Sequence, residues 1–126
     1  MSSKFELRKT AKLSEDAEAE FVSSPWEESF DSAGKAAIPN VGPATQKALA
    51  EAGITNQFQL IGQFLMFRKS GDTTQERCDL MVNFLESAGV GKSLLSVITY
   101  TLAKKLNRTF PGFFVDSDCV AAEGSE

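Results

Sequence analysis

Between Ile38 and Leu49 the chain reads Ile-Pro-Asn-Val-Gly-Pro-Ala-Thr-Gln-Lys-Ala-Leu, and no other stretch restricts the fold as tightly. It is a tight glycine-containing turn that runs into a helix, with Pro43 in the first helical turn and Gly53 just past the end of a segment from Pro43 to Ala52. That placement of proline and glycine is the expected asymmetry of helix termini. Asn40 stands within the turn, and asparagine tolerates left-handed backbone angles better than other non-glycine residues.

The rhythm after the turn is helical. Asn56 to Arg68 carries Phe58, Leu60, Ile61, Phe64, Leu65 and Phe67 and is apolar nearly all round, which suits the centre of a core or an interface. Asp72 followed by Gln75 predicts a capping box for a helix reaching about Ser87, with Leu80, Met81, Phe84 and Leu85 facing inward and Gly89 and Gly91 ending it. A last helix from about Ser93 to Leu106 places Leu94, Leu95, Ile98, Leu102 and Leu106 on one face, with Lys104, Lys105 and Arg108 near its C-terminus, where cations suit the helix dipole. Nothing reads as a strand. The fold expected is all-α, a compact bundle of about five short helices with flexible N- and C-terminal arms.

Charge divides the chain into three parts. Residues 1–35 form an acidic N-terminal arm with five basic and eight acidic groups. Residues 36–112 form the helical domain, with eight basic groups (Lys47, Arg68, Lys69, Arg77, Lys92, Lys104, Lys105, Arg108) against five acidic ones. Residues 113–126 form an acidic C-terminal tail, with four acids and no base. A mildly basic middle permits a phosphate-binding core. The arm offers a short helix over Leu13 to Val22 and the aromatics Trp26 and Phe30; the tail begins with Phe113 and Phe114. These four aromatics are suited to docking, either on the domain's own surface or on a protein partner.

Several chemistries are disfavoured. The chain has no histidine and only Cys78 and Cys119, so the usual zinc sites and a Cys-His nucleophile are out of reach. No metal, no cofactor, no small-molecule substrate and no catalytic residue is expected; the protein reads as a non-enzyme. No apolar run approaches the roughly 18 residues of a membrane span, so no membrane partner is expected. The Lys4 to Lys12 stretch superficially suits an organellar presequence, but the acids that follow argue against it. The expected setting is intracellular and reducing, in the nucleus or cytoplasm, including the cytoskeleton or cilium. Gly89-Val90-Gly91-Lys92-Ser93 shares the end of a nucleotide-hydrolase phosphate loop, but Glu86 stands where that pattern needs glycine, and a helix rather than a strand precedes it.

Ile38 to Leu49 matches the helix-hairpin-helix pattern, whose turn exposes backbone N–H groups at a helix N-terminus. Phosphate is favoured there by hydrogen bonds and by the helix dipole. Asn40 replaces the first glycine of that pattern, and the alternative use of such a hairpin is helix packing or protein contact. Gly53-Ile54-Thr55, followed by Leu60-Ile61-Gly62-Gln63-Phe64-Leu65-Met66-Phe67-Arg68-Lys69, resembles the Leu-Gly-Gln-Phe-Leu-apolar-apolar-Lys-Lys stretch of the barrier-to-autointegration factor family. The likeness covers about residues 36–110. It implies a compact helical homodimer that binds and bridges double-stranded DNA without sequence preference. It also implies phosphate contacts at Asn40, Val41, Gly42, Ala44, Thr45 and Lys47, a second contact at Lys92 and Ser93, and a dimer or partner surface at Gly62, Gln63 and Phe64. The long acidic arms depart from that family and suit a second reading, a scaffold subunit of a larger assembly, cytoskeletal or ciliary for example, in which the fold is reused without DNA.

Overall fold

The computed structural model describes residues 4–6, 15–30, 38–115, 117 and 119. Over these the chain forms five α-helices: α1 (Glu15–Ser23), α2 (Pro43–Glu51), α3 (Gln57–Met66), α4 (Thr74–Ala88) and α5 (Leu95–Thr109), with a 3-10 turn (Lys92–Leu94) leading into α5. Among the described residues there is no strand, and no helix is long and apolar enough to cross a membrane. The expected helical segments are all present, and the all-α bundle is what the chain forms. The C-terminal acids Asp116, Asp118, Glu123 and Glu126, and the start of the expected Leu13 helix, lie outside the described residues.

Local chemistry sets the helix boundaries. Asn56 caps α3, its side chain accepting the Gln59 amide at 2.8 Å. At α4 the capping residues differ by one position from the expected Asp72 and Gln75. Thr73 accepts the Glu76 amide at 3.1 Å, and Glu76 returns a bond to the Thr73 amide at 3.1 Å. Asp72 is committed elsewhere: its carboxylate takes the Arg77 guanidinium and the Lys69 amide. Gln75 turns inward and donates to the Phe5 carbonyl at 2.9 Å and to Asp79 at 2.8 Å. Gly89 ends α4 in the left-handed region, φ 101°, where a glycine has no Cβ to clash.

The central helix is α5 rather than α3. Ten of the fifteen α5 residues are buried, including Ser96, Thr99, Thr101 and Lys105, because α4 packs on one side and the N-terminal arm on another. The leucine stripe accounts for only the first of these contacts. Polar α5 residues make the second: Ser96 accepts the Glu6 amide at 2.9 Å, Tyr100 donates to Glu18 at 3.3 Å, and Arg108 donates to the Val22 carbonyl at 2.8 Å. By contrast α3 buries Gln57, Leu60 and Phe64 but leaves Phe58 50% and Met66 78% exposed.

Lys105 holds the arm most directly. Its ammonium lies 4.1 Å from the Phe21 ring centroid and 4.4 Å from that of Trp26, and bonds Ser24 Oγ and the Pro25 carbonyl, each at 3.0 Å. Burial lowers its pKa to about 8, with the Arg108 charge pushing the same way and Glu27 opposing; two ring faces and two acceptors offset that cost by favouring the cation. The arm continues to α3, where Gln57 donates from its amide to the Glu28 carbonyl at 2.7 Å and from its side chain to the Ser29 carbonyl at 2.8 Å, beside buried Phe30.

The start of the C-terminal segment is fixed just as firmly. Phe113 packs edge-on against Phe64 at 5.1 Å, and Phe114 meets Tyr100 at 5.6 Å and Phe5 at 6.3 Å. Arg77 donates to the Phe113 carbonyl at 2.6 Å, and Thr74 Oγ1 accepts the Val115 amide at 3.0 Å. Trp26, Phe30, Phe113 and Phe114 therefore dock on the chain's own body. Each such aromatic removed from water stabilises the fold by about 1.5–3 kcal/mol.

Candidate nucleic-acid interface

The hairpin before α2 is anchored from below and open above. Ile38 and Val41 are buried, and the Val41 amide donates to the Ile38 carbonyl at 3.3 Å. Asn40, between them, has φ 69° and is the one non-glycine residue in the left-handed region among those described. Gly42 follows as N-cap with extended backbone (φ −93°, ψ −172°), Pro43 opens the helix, and the Gln46 amide closes the first helical bond to the Gly42 carbonyl at 2.9 Å. No side chain caps this end. The Ala44 and Thr45 amides, which have no acceptor within the helix, therefore face the hairpin mouth. Gly42, Ala44 and Lys47 are exposed around it, and Thr45 is buried.

Gly42 is informative because nothing within the chain demands it. Its φ is one that any residue adopts, and a Cβ there would meet no atom within 4 Å. A glycine with neither a conformational nor an internal packing reason leaves the backbone open to close approach from outside.

The turn between α4 and α5 repeats the arrangement. Gly89 is left-handed, Val90 is buried with its amide on the Leu85 carbonyl at 3.1 Å, and Gly91 is an extended N-cap (φ −60°, ψ 141°). The 3-10 turn then starts at Lys92, and the Leu94 amide bonds the Gly91 carbonyl at 2.9 Å. Asn40-Val41-Gly42 and Gly89-Val90-Gly91 thus share one conformational order: left-handed, buried valine, extended glycine, helix. Gly91, like Gly42, has no side-chain cap on its helix, and a Cβ there would find open space. The two turns are neighbours, since a Cβ on Gly89 would lie 3.6 Å from Ala48 Cβ in α2. Lys92 and Ser93 are exposed at the second mouth, with Glu86 3.9 Å from the Lys92 ammonium. The repeated Val-Gly ahead of a helix start was the sequence signal for this second hairpin, hidden there by its likeness to a nucleotide loop.

Not all of the middle region's cations serve a surface. Arg77 and Lys105 are 5% and 2% exposed and hold the terminal segments, and Arg108 is bonded to the arm. Lys47, Arg68, Lys69 and Lys92 are exposed. Of the three residues expected at a contact surface, Gly62 and Gln63 are partly exposed, while Phe64 is fully buried against Phe113 and packs the monomer's own core. The exposed face of α3 instead runs Phe58, Gly62, Met66, one turn apart, and a Cβ on Gly62 would meet nothing within 4 Å. Among the described residues no cluster of three or more His, Cys, Asp or Glu side chains could hold a metal ion.

Comparison with models of known families, with curated proteins and with solved structures finds no match to this chain.

Proposed function

We propose that this protein is a non-catalytic architectural protein that binds and bridges double-stranded DNA without reading its sequence. The observation that carries the reading is the pair of adjacent hairpins, each ending in an exposed glycine N-cap for which the chain has no internal use. Two uncapped helix ends, with Lys47 beside one and Lys92 at the other, offer backbone donors, helix dipoles and a cation each to a phosphate backbone. Contacts of that kind position a protein on a duplex and carry no base preference. The resemblance of residues 36–110 to the barrier-to-autointegration factor family supports the same reading.

Bridging needs two such surfaces, and α3 supplies the means. Phe58 and Met66 flank Gly62 one turn to either side, a large-small-large stripe that fits itself when two copies cross antiparallel about a two-fold axis. A mid-helix glycine costs about 0.5–1 kcal/mol relative to alanine. Gly62→Ala is therefore expected to raise monomer stability by about that amount, and Gly62→Glu to leave the helix content intact while abolishing self-association, both read by sedimentation and thermal unfolding. A wild-type chain that sediments as a monomer at high micromolar concentration would remove the bridging part.

The burial of Arg77 and Lys105 favours a second reading, a scaffold subunit that uses the same fold for protein contact. Fluorescence anisotropy of random-sequence duplex over a salt series separates the two. The DNA reading expects affinity that is indifferent to sequence and a slope of log K against log salt of about −2 to −4 for two to four neutralised phosphates. No binding at low salt would leave the scaffold reading.

A further inference from the structure

The N-terminal arm and the last turn of α5 enclose a cavity of about 230 Å³, with Ser24, Pro25 and Trp26 on one wall and Lys105, Arg108 and Thr109 on the other. No carboxylate is among the described residues that line it. Lys105 and Arg108 stand one turn apart on the same face of the helix, and Lys105 is only 2% exposed. The ion pairs among the described residues join Arg77 to Asp72 and Lys92 to Glu86, so neither of these two cations has a carboxylate partner there. Glu18 of α1 accepts from Tyr100 at 3.3 Å, and Glu27 of the arm is exposed. A buried cation is normally paired with an anion; this one has a second cation beside it, and the Arg108 charge adds to burial in lowering its pKa, against Glu27 alone. Donors are also left over. The Lys105 ammonium uses two of its three N–H groups on Ser24 Oγ and the Pro25 carbonyl, and the Arg108 guanidinium uses one of its five on the Val22 carbonyl. The C-terminal end of α5 opposes an anion with about half a negative charge, less than the two full positive charges at the cavity.

We propose that this cavity binds a phosphoryl dianion, either inorganic phosphate or the phosphate ester of a short carrier, which bridges Lys105 and Arg108 and clamps the arm to α5. A compact doubly charged head matches two cations one turn apart, whereas a neutral ligand would leave their repulsion in place. The volume lies below the roughly 300 Å³ at which pockets for drug-sized ligands begin, which is why the carrier is short. The site sits at the far end of α5 from the two hairpins, about 20 Å along the helix, and is separate from the proposed duplex face. The bound anion favours the charged form of Lys105, opposing the effect of burial. It thereby strengthens the hold of that ammonium on the Phe21 and Trp26 rings.

Trp26 is the chain's single tryptophan, which makes its emission a local reporter. The full chain is titrated at constant ionic strength with inorganic phosphate and, separately, with glycerol phosphate, followed by Trp26 emission and by the backbone amide NMR shifts of Ser24, Trp26 and Thr109. Saturable changes at these residues are expected; tighter binding of the ester identifies a carried phosphoryl group, and equal or weaker binding identifies the free ion. Arg108→Gln, which keeps a donor for the Val22 carbonyl, is expected to retain the Trp26 emission of the free chain and to weaken binding about ten- to a hundredfold. Sulfate, whose own charge is constant over this range, is expected to bind about thirtyfold more weakly at pH 9.5 than at pH 6.5, because Lys105 loses its proton above a pKa of about 8. Shifts confined to the hairpins around Gly42 and Gly91, full affinity in Arg108→Gln, sulfate binding indifferent to pH, or no response to either phosphate at low-millimolar concentration would each overturn the proposal.

Discussion

Replacing Gly42 and Gly91 together by glutamate is expected to lower affinity for duplex DNA by at least about a hundredfold while leaving the far-ultraviolet spectrum unchanged. Each substitution places a carboxylate at a helix N-terminus where the structure has open space. The new charge satisfies the dipole that phosphate would otherwise meet, so the fold loses nothing and the isolated helix end gains by roughly 0.3–1 kcal/mol. On the DNA side the same charge repels phosphate and competes for the first-turn amides. A charge-assisted hydrogen bond contributes about 1.5–3 kcal/mol, so losing one at each hairpin corresponds to about two to four orders of magnitude in affinity. The single variants are expected to fall in between, with similar losses, because the two turns share one conformation. Lys47→Ala and Lys92→Ala are expected to weaken binding modestly, each reducing the salt slope by about one. A double glutamate variant that binds as tightly as the parent chain would show that the hairpins only pack.

The largest effect on stability is expected from Arg77→Ala, at about 3–5 kcal/mol. Arg77 is buried, and its guanidinium serves three partners: the Asp72 carboxylate, Thr74 Oγ1 at 3.2 Å and the Phe113 carbonyl at 2.6 Å. It also lies over the Phe113 ring, 5.4 Å from the centroid. Truncation strands a carboxylate whose side chain is 3% exposed and releases the segment that covers Phe64. Removing both charges, as in Asp72→Leu with Arg77→Leu, is expected to cost less than Arg77→Ala alone, since no unpaired buried charge is left. The pair also sets a pH dependence. Burial alone would raise the Asp72 pKa, but the Arg77 hydrogen bond, the Lys69 amide and the Arg77 and Arg68 charges outweigh it and hold the carboxyl below its ordinary value. A carboxylate whose pKa is lower folded than unfolded adds stability that is fully present above about pH 4 and is lost as pH falls toward the folded value. Thermal unfolding followed from pH 7 to 2 should show this acid-labile component in the parent chain and lack it in Arg77→Ala.

Helix positions were legible in the sequence wherever a boundary has local chemistry. Pro43, Asn56 and Gly89 each mark an end within a residue or two. The exchange of Asp72 and Gln75 for Thr73 and Glu76 at α4 shows the limit: both pairs satisfy the spacing of a capping box, and the choice falls to a buried arginine five residues beyond Asp72. Which helix is central was not legible either. Hydrophobicity favoured α3, yet α5 is buried on more sides because Ser96, Tyr100, Lys105 and Arg108 bind the arm, and a polar residue that grips another segment looks in sequence like one facing water. Lys105 is the clearest case, counted among the cations of a phosphate-binding core and found between two aromatic rings. At the candidate interface the first hairpin was readable from its residues. Its partner turn emerged only when backbone angles put Gly89-Val90-Gly91 in register with Asn40-Val41-Gly42.

The contact between Phe5 and Phe114 has a consequence for how the chain reaches this state. A nascent polypeptide can form α2, α3 and α4 from local contacts as they emerge, but the cleft that receives Phe5 is bounded by Gln75, Asp79, Ser96 and Phe114. It does not exist until Phe114 has been synthesised and has cleared the ribosome. Contacts this distant along the chain carry the largest loop-closure entropy and form late. Until then Phe5 lacks its partner ring and Phe64 lacks its Phe113 cover, the interval in which a translating chain most needs a chaperone's protection.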